Sequence, residues 1–183
     1  MRRTCSVLLA MSLACLGLVL GGSAGASSAA KAAKATCNAK TAVKDIEPIL
    51  DVNAKADSTK KQRAATVQFG NTKAVQKQID AVQASSPLKT VRANPISGIT
   101  FPDKRSAIGN LTITLDPART QTINQGQQFF MCVGKDQGGK GKGSWVLTLY
   151  SYCNLAALAP CPPDMVNKAL SSLTPKLLAA TTK

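Results

Sequence analysis

Side chains that commonly perform enzymatic chemistry are scarce in this sequence. The 183 residues include no histidine, and Glu47 is the one glutamate among nine acidic residues. A chain without histidine lacks the commonest general base, the Ser/His and Cys/His dyads, and the ligand that most transition-metal sites use. We therefore expect a protein that is not an enzyme and that needs no cofactor or metal.

Two short motifs resemble sequences with a chemical role. Residues 134–140 read G-x-x-x-x-G-K, as in a phosphate-binding P-loop, but Gly141 follows where that loop requires Ser or Thr. Residues 58–61 and 86–89 both fit S-x-x-K, a serine one helical turn from a lysine. The Ser-Asp-Asn and Lys-Thr-Gly motifs that accompany S-x-x-K in its enzymes do not occur in the sequence. A histidine-free hydrolase is therefore our last-ranked alternative.

Lysine is the residue type best able to hold a partner. The chain has 23 basic residues against nine acidic ones, a net charge of +14. Such a charge favours association with phosphates, anionic polysaccharides or anionic membrane surfaces. The candidate anion-binding residues form two clusters in the sequence: Lys135, Lys140 and Lys142 in a Gly-rich segment, and Lys60, Lys61 and Arg63. The alternative is that these side chains only keep the protein soluble.

The first 26 residues have the three parts of a secretory signal. Arg2 and Arg3 precede an apolar run over residues 7–20, and small residues follow as far as Ala26. The run is too short to span the ~30 Å bilayer core comfortably. We expect cleavage, a secreted or periplasmic protein, and no integral membrane span afterwards. Loss of Arg2 and Arg3 would leave a charge of 21 − 9 = +12.

The remaining residues predict a leader and one domain. Residues 27–36 are rich in Ala and Lys and lack large apolar side chains, which predicts a flexible leader. Residues 37–183 are enough for a single domain with one core.

Four cysteines follow the predicted signal: Cys37, Cys132, Cys153 and Cys161. An even number in an exported chain predicts two disulfide bonds, and their spacing contains no C-x-x-C of a zinc or redox site. We expect Cys153–Cys161 and, by elimination, Cys37–Cys132. A hairpin turn near residues 138–139 places Cys132 opposite Trp145 or Val146, so that Cys153 lies beyond the ~7 Å between Cα atoms that a disulfide spans. A bulge would restore the rival pair, Cys132–Cys153.

Hydrophobic periodicity predicts helices at both ends of the domain and strands between them. Apolar residues at three- and four-residue steps predict helices over residues 38–56, 58–68, 72–84 and 163–178. We expect Pro48 to kink or divide the first of these helices, and Pro175 to kink or split the last. Alternation predicts strands at 111–115, 127–133 and 145–153. The Gly-rich residues 134–143 predict the most flexible connection. The order of elements predicts an α+β fold, a small antiparallel sheet over about residues 109–153 packed on one side by N-terminal helices and a C-terminal helix.

These features favour an exported, non-catalytic binding module. Its expected partner is anionic, a polysaccharide, a nucleic acid or a membrane surface, and is held by the two lysine clusters. The first alternative is a secreted protein-binding or inhibitor domain that presents residues 134–143 to a protein partner. Salt distinguishes the two, because binding to phosphates weakens steeply with ionic strength and recognition through apolar anchors much less.

Overall fold

The computed structural model describes residues 36–38, 40–85, 91–115, 121–156 and 159–182. The predicted signal at 1–26, all of the predicted leader except residue 36, and the S-x-x-K motif at 86–89 lie outside the described residues.

Helices flank a sheet in the described part of the chain. The helices are α1 (Ala42–Ala54), α2 (Lys60–Ala64), α3 (Lys73–Ser85), α4 (Leu149–Leu155), α5 (Pro163–Ser171) and α6 (Pro175–Ala180). The strands are β1 (Arg92–Ala93), β2 (Ser97–Asp103), β3 (Ser106–Thr114), β4 (Thr122–Val133) and β5 (Ser144–Leu147), and a 3-10 turn covers Lys135–Gln137. α1 continues through Pro48, whereas Pro175 begins a separate helix, as the sequence predicted.

The sheet is antiparallel throughout and is built around β3. β1 and β2 pair with one edge of β3 and β4 with the other, and β5 pairs with β4. The predicted α+β fold with a small antiparallel sheet is confirmed, although the strands span residues 92–147 rather than 109–153. The outer edge of β5 is partly covered, because Leu147 exchanges backbone hydrogen bonds with Thr66 and Gln68.

The strand predicted over 145–153 is wrong beyond Leu147. The chain turns there into α4, whose N-cap is Thr148, and the Thr148 side chain accepts a hydrogen bond from the backbone N–H of Ser151 at 3.1 Å. A threonine hydroxyl that takes up a free N–H stabilises the first turn of a helix. Tyr152 is therefore a helical residue and not part of a sheet face.

Helices cover both faces of β4 and β5, not one side as predicted. Side chains alternate across a strand. Phe130, Cys132, Trp145 and Leu147 accordingly pack in one cluster with residues of α1 and α3, whereas Phe129, Met131, Val133 and Val146 pack in a second cluster with Leu177 of α6. The helix that follows Thr174 thus forms a separate layer on the second face.

One disulfide ties the N-terminal segment to this sheet, and a second links α4 to the segment before α5. Cys37 bonds to Cys132 on β4, with Cα atoms 5.9 Å apart, and Cys153 bonds to Cys161, with Cα atoms 5.4 Å apart. Cys132 lies opposite Trp145 in the β4–β5 register, which is the geometry from which this pairing was expected. The two bonds indicate an oxidising environment, extracellular or periplasmic.

Candidate binding sites

A shallow groove lies between α2 and the loop that joins β4 to β5. We call it the lysine groove; its volume is about 440 Å³ and it is lined by Lys60, Lys61, Ala64, Ala65, Gly70, Asn71, Gln76 and Gly138. α2 forms one wall because its start is fixed by a capping box, in which the Thr59 and Gln62 side chains each accept a hydrogen bond from the backbone of the other residue.

The β4–β5 loop is held against the turn that follows α2. The backbone N–H of Phe69 donates to the Gln137 carbonyl at 2.8 Å, and the Gln68 side chain donates to that of Gln137 at 2.7 Å. Asn71 Nδ2 lies 3.5 Å from the Lys135 carbonyl oxygen. The base of the loop is therefore bonded to the domain, although its composition predicted the most flexible connection.

Two glycines permit this close approach. A Cβ on Gly70 would stand 1.9 Å from the Ala64 carbonyl oxygen, and a Cβ on Gly138 would stand 3.3 Å from the Gly70 nitrogen. Gly138 also has a φ of +91°, in the left-handed region that disfavours other residues. Glycine at position 70 therefore lets the turn close against the end of α2, and glycine at position 138 lets the loop lie on that turn.

The β4–β5 loop faces Lys60 and Lys61 across the lysine groove. Both line the groove and are exposed, and Lys60 Nζ pairs with Asp80 Oδ2 at 2.6 Å across to α3. The loop contributes Gly138 to the wall, and its lysines at 135, 140 and 142 are exposed on the same loop outside the groove lining. The structure thus places five of the six candidate residues on neighbouring surface segments.

Arg63 does not belong to this set. Its side chain is 6 % exposed, and it donates hydrogen bonds to the carbonyl oxygens of Asn53 (2.8 Å), Ser58 (3.4 Å) and Lys55. Burial lowers the pKa of this guanidinium, against the opposing influence of Tyr152 and Asp57. Arg63 thus caps carbonyls at the end of α1 and in the turn after it, and it is buried, unlike the exposed lysines.

Neither catalytic motif has the geometry that its chemistry requires. A P-loop needs a helix after its glycines, and β5 follows here. In the S-x-x-K motif at 58–61, Ser58 is buried and Lys61 is exposed, so the serine is not presented to solvent beside its lysine.

A second cavity lies under the sheet and was missed by sequence reasoning. We call it the apolar cavity; its volume is about 250 Å³ and it is lined by Leu50, Asn53, Ala54, Ala56, Arg63, Val82, Gln83, Val91, Leu111, Ile113, Gln125, Tyr152, Leu155 and Ala156. These residues come from α1, α2, α3, α4, β3, β4 and the segments beside them. Because no continuous segment supplies more than a few of them, no local pattern in the sequence predicts the cavity.

Two polar side chains of this cavity contain unsatisfied atoms. Asn53 donates through Nδ2 to the Ile49 carbonyl at 2.8 Å and to Thr66 Oγ1 at 3.0 Å, which leaves Oδ1 without a donor among the described residues. The Tyr152 hydroxyl, on a residue 3 % exposed, likewise has no partner there. Burial raises the pKa of Tyr152 to about 12, although the Arg63 charge opposes this rise. The hydroxyl is therefore protonated at neutral pH.

The described ranges contain no cluster of three or more His, Cys, Asp or Glu side chains that would hold a metal ion. In the same ranges, no helix has the length and apolar character needed to cross a bilayer. Comparison with known protein families, with curated protein sequences and with solved structures found no match.

Proposed function

We propose that the protein is an exported, non-catalytic binding module that holds an anionic polymer across the lysine groove and the adjoining loop. The observation that carries the proposal is the docking of the β4–β5 loop on the turn after α2. Hydrogen bonds from Phe69 and Gln68 to Gln137 hold the loop that carries one lysine cluster against the turn that follows the other, about 75 residues away in the chain. Partial neutralisation by acidic neighbours is weak, because the Lys60–Asp80 pair is about half exposed and such pairs contribute little.

Retention on a heparin column tests the proposal. The triple variant K135Q/K140Q/K142Q removes three loop charges and is expected to elute at lower salt than the unmodified protein, because fewer counterions are released on binding. Lys61→Gln in the groove is expected to lower the elution salt further. The matched control is K44Q/K104Q/K176Q, which removes three exposed charges from α1, the β2–β3 turn and α6.

Two outcomes contradict the proposal. Equal losses in the loop and control triples would show that net charge alone causes retention, and the lysines would then serve solubility. Retention that does not fall between low and moderate salt would exclude a polymer held by lysines. Replacing heparin by DNA in the same series distinguishes a polysaccharide partner from a nucleic acid.

The second candidate is a protein-binding or inhibitor domain that presents the β4–β5 loop. It is favoured by the fixed base of that loop, because a loop held in one conformation loses less entropy when a partner binds. Binding of this kind would persist at moderate salt.

A further inference from the structure

The wall of the apolar cavity combines a hydrophobic body with a small polar region. Leu50, Val82, Leu111, Ile113 and Leu155 are among its apolar side chains, and they belong to three helices and the central strand. Ligand sites in proteins have this composition, a mostly apolar lining with a few polar groups that fix orientation. Neither the anionic partner nor the lysines of the proposed function involve this cavity.

The polar region has a defined hydrogen-bonding requirement. Asn53 Oδ1 can only accept, and its orientation is fixed because Nδ2 already donates to the Ile49 carbonyl and to Thr66. The Tyr152 hydroxyl can donate and accept. A buried polar atom without a partner destabilises the folded protein. A ligand group that bonds to either atom would reduce this penalty. It must donate to Asn53 Oδ1, and it can donate to or accept from the Tyr152 hydroxyl.

We propose that the apolar cavity binds a small molecule with an apolar body and one neutral hydroxyl group, of the alkylphenol or medium-chain alcohol class. A hydroxyl is a small group that both donates and accepts, so it can form a hydrogen bond with the Tyr152 hydroxyl or donate one to Asn53 Oδ1. A cavity of ~150 Å³ holds benzene, so the 250 Å³ here accommodate about ten non-hydrogen atoms.

Charged ligands fit the same region less well. A carboxylate would face the acceptor oxygen of Asn53, and a cation would face the buried Arg63 guanidinium, which also lines the cavity. Three of the five N–H donors of that guanidinium already bond to backbone carbonyls, which reduces what an acid would gain from it. A neutral ligand avoids both conflicts and the cost of burying a charge.

The test measures binding of two matched probes to the purified protein by NMR titration. The probes are 4-propylphenol, which has ten non-hydrogen atoms, and propylbenzene, which differs only in lacking the hydroxyl. We expect 4-propylphenol to bind saturably, with a Kd on the order of 0.1 mM, and to shift amide signals of the cavity residues. Propylbenzene is expected to bind about two- to tenfold more weakly, which is the loss expected for one hydrogen bond.

Three variants locate the binding. Tyr152→Phe is expected to weaken 4-propylphenol about two- to tenfold and to leave propylbenzene unchanged. Its matched control is Tyr150→Phe on the same helix, whose ring packs at 5.8 Å against Phe129 outside the cavity lining; it should alter neither probe. Ala54→Leu fills the cavity and is expected to abolish binding of both probes, and Val82→Phe provides the same test should Ala54→Leu fail to fold.

Several results would overturn the proposal. They are the absence of saturable binding of either probe, binding that survives both cavity-filling variants, or equal affinities for the two probes with no effect of Tyr152→Phe. Tighter binding of 4-propylbenzoate than of 4-propylphenol would show that the ligand is an acid. Each result is independent of heparin retention, so failure of this proposal and failure of the anion-binding function are distinguishable.

Discussion

At the scale of single residues, Arg63 is a basic side chain whose hydrogen bonds stabilise the folded structure. It donates to the carbonyl oxygens of Asn53, Lys55 and Ser58, which lie at the end of α1 and in the turn after it. Arg63→Met keeps the apolar stem but removes these donors, and it is expected to lower the free energy of unfolding by about 2–4 kcal/mol. Urea unfolding measures this change.

The control for that measurement is Lys61→Met on the same helix, an exposed position where a change within about 0.5 kcal/mol is expected. Equal stabilities of the two variants would show that the Arg63 hydrogen bonds do not stabilise the protein.

Ionisation of Tyr152 is expected to lower the stability of the protein in alkaline solution. Its pKa is raised by burial to about 12, from 10.0 for the exposed side chain. The unfolded chain therefore releases this proton first, so stability is fully present below pH 10 and falls as pH rises towards 12. Over this window the loss is about 2–3 kcal/mol, at 1.36 kcal/mol per pH unit. Tyr152→Phe is expected to remove this part of the alkaline slope, as measured by urea unfolding at pH 9–12.

Tyr150→Phe serves as the reference for that alkaline series, since Tyr150 is on the same helix and is partly exposed. At pH 7 Tyr152→Phe is expected to be as stable as the unmodified protein or more stable, because it removes a buried hydroxyl that has no partner among the described residues. An unchanged alkaline slope in Tyr152→Phe would contradict the prediction.

At the scale of elements, one aspartate joins the β2–β3 turn to the start of α6. Asp103 accepts hydrogen bonds from the Arg105 backbone N–H (2.8 Å), from Ser106 (3.1 Å) and from Thr174 (2.9 Å), and Thr174 is the N-cap of α6. Burial raises the pKa of this carboxyl, but these hydrogen bonds and the nearby Lys176 charge outweigh burial and hold it below its ordinary value of 3.8.

A lowered pKa means that Asp103 stabilises the fold above pH 3.8 and that this contribution is lost as pH falls through the folded-state pKa. Asp103→Asn is expected to lower the free energy of unfolding by about 1 kcal/mol at pH 7 and to match the unmodified protein near pH 2. Asp136→Asn, in the exposed loop, is the control. A difference that persists at low pH would show that geometry, rather than the carboxylate charge, matters at Asp103.

The sequence predicted the elements whose periodicity is uninterrupted. Val75, Ile79 and Val82 recur at helical spacing and lie in α3, and Leu111 and Ile113 alternate along β3. The pattern failed at Leu147, because alternating aromatic and apolar residues continue into α4. The one signal that the strand gives way to a helix is the N-cap residue, Thr148. Threonine is favoured both at helix N-caps and in strands, so it does not distinguish the two.

The two candidate sites differ in how much of each could be predicted from the sequence. Charge is visible residue by residue, so the sequence suggests both clusters of basic residues. Burial is not visible in this way, and Arg63, which is buried, was therefore grouped with exposed lysines. The apolar cavity depends on how helices and strands from all over the domain pack together. Its polar residues, Asn53 and Tyr152, have no sequence pattern that distinguishes them from ordinary helical side chains.

At the scale of the whole molecule, α2 belongs to both sites. Lys60 and Lys61 line the lysine groove on its outer side, while Arg63 lines the apolar cavity on its inner side. One short helix therefore separates a charged surface from an apolar interior. The two proposed binding events use different residues, and changes in one are expected to leave the other intact.

Removing each disulfide in turn tests how much each crosslink stabilises the domain. Cys37–Cys132 joins residues 95 apart and Cys153–Cys161 residues 8 apart. In the chain-entropy model the longer loop restricts the unfolded chain more, so the first bond contributes about 4–5 kcal/mol and the second about 2–3 kcal/mol. C37A/C132A is therefore expected to lower the free energy of unfolding by about 2 kcal/mol more than C153A/C161A, as measured by urea unfolding.

Packing adds to that difference in the same direction, because Cys132 is fully buried in the core whereas Cys153 and Cys161 are partly exposed. Reduction of the unmodified protein separates the two effects, since it breaks both crosslinks without removing the sulfur atoms from the core. If C153A/C161A proves the less stable variant, the N-terminal segment is held to the sheet mainly by the packing of α1, through Ile46 and Leu50, and not by its crosslink to β4.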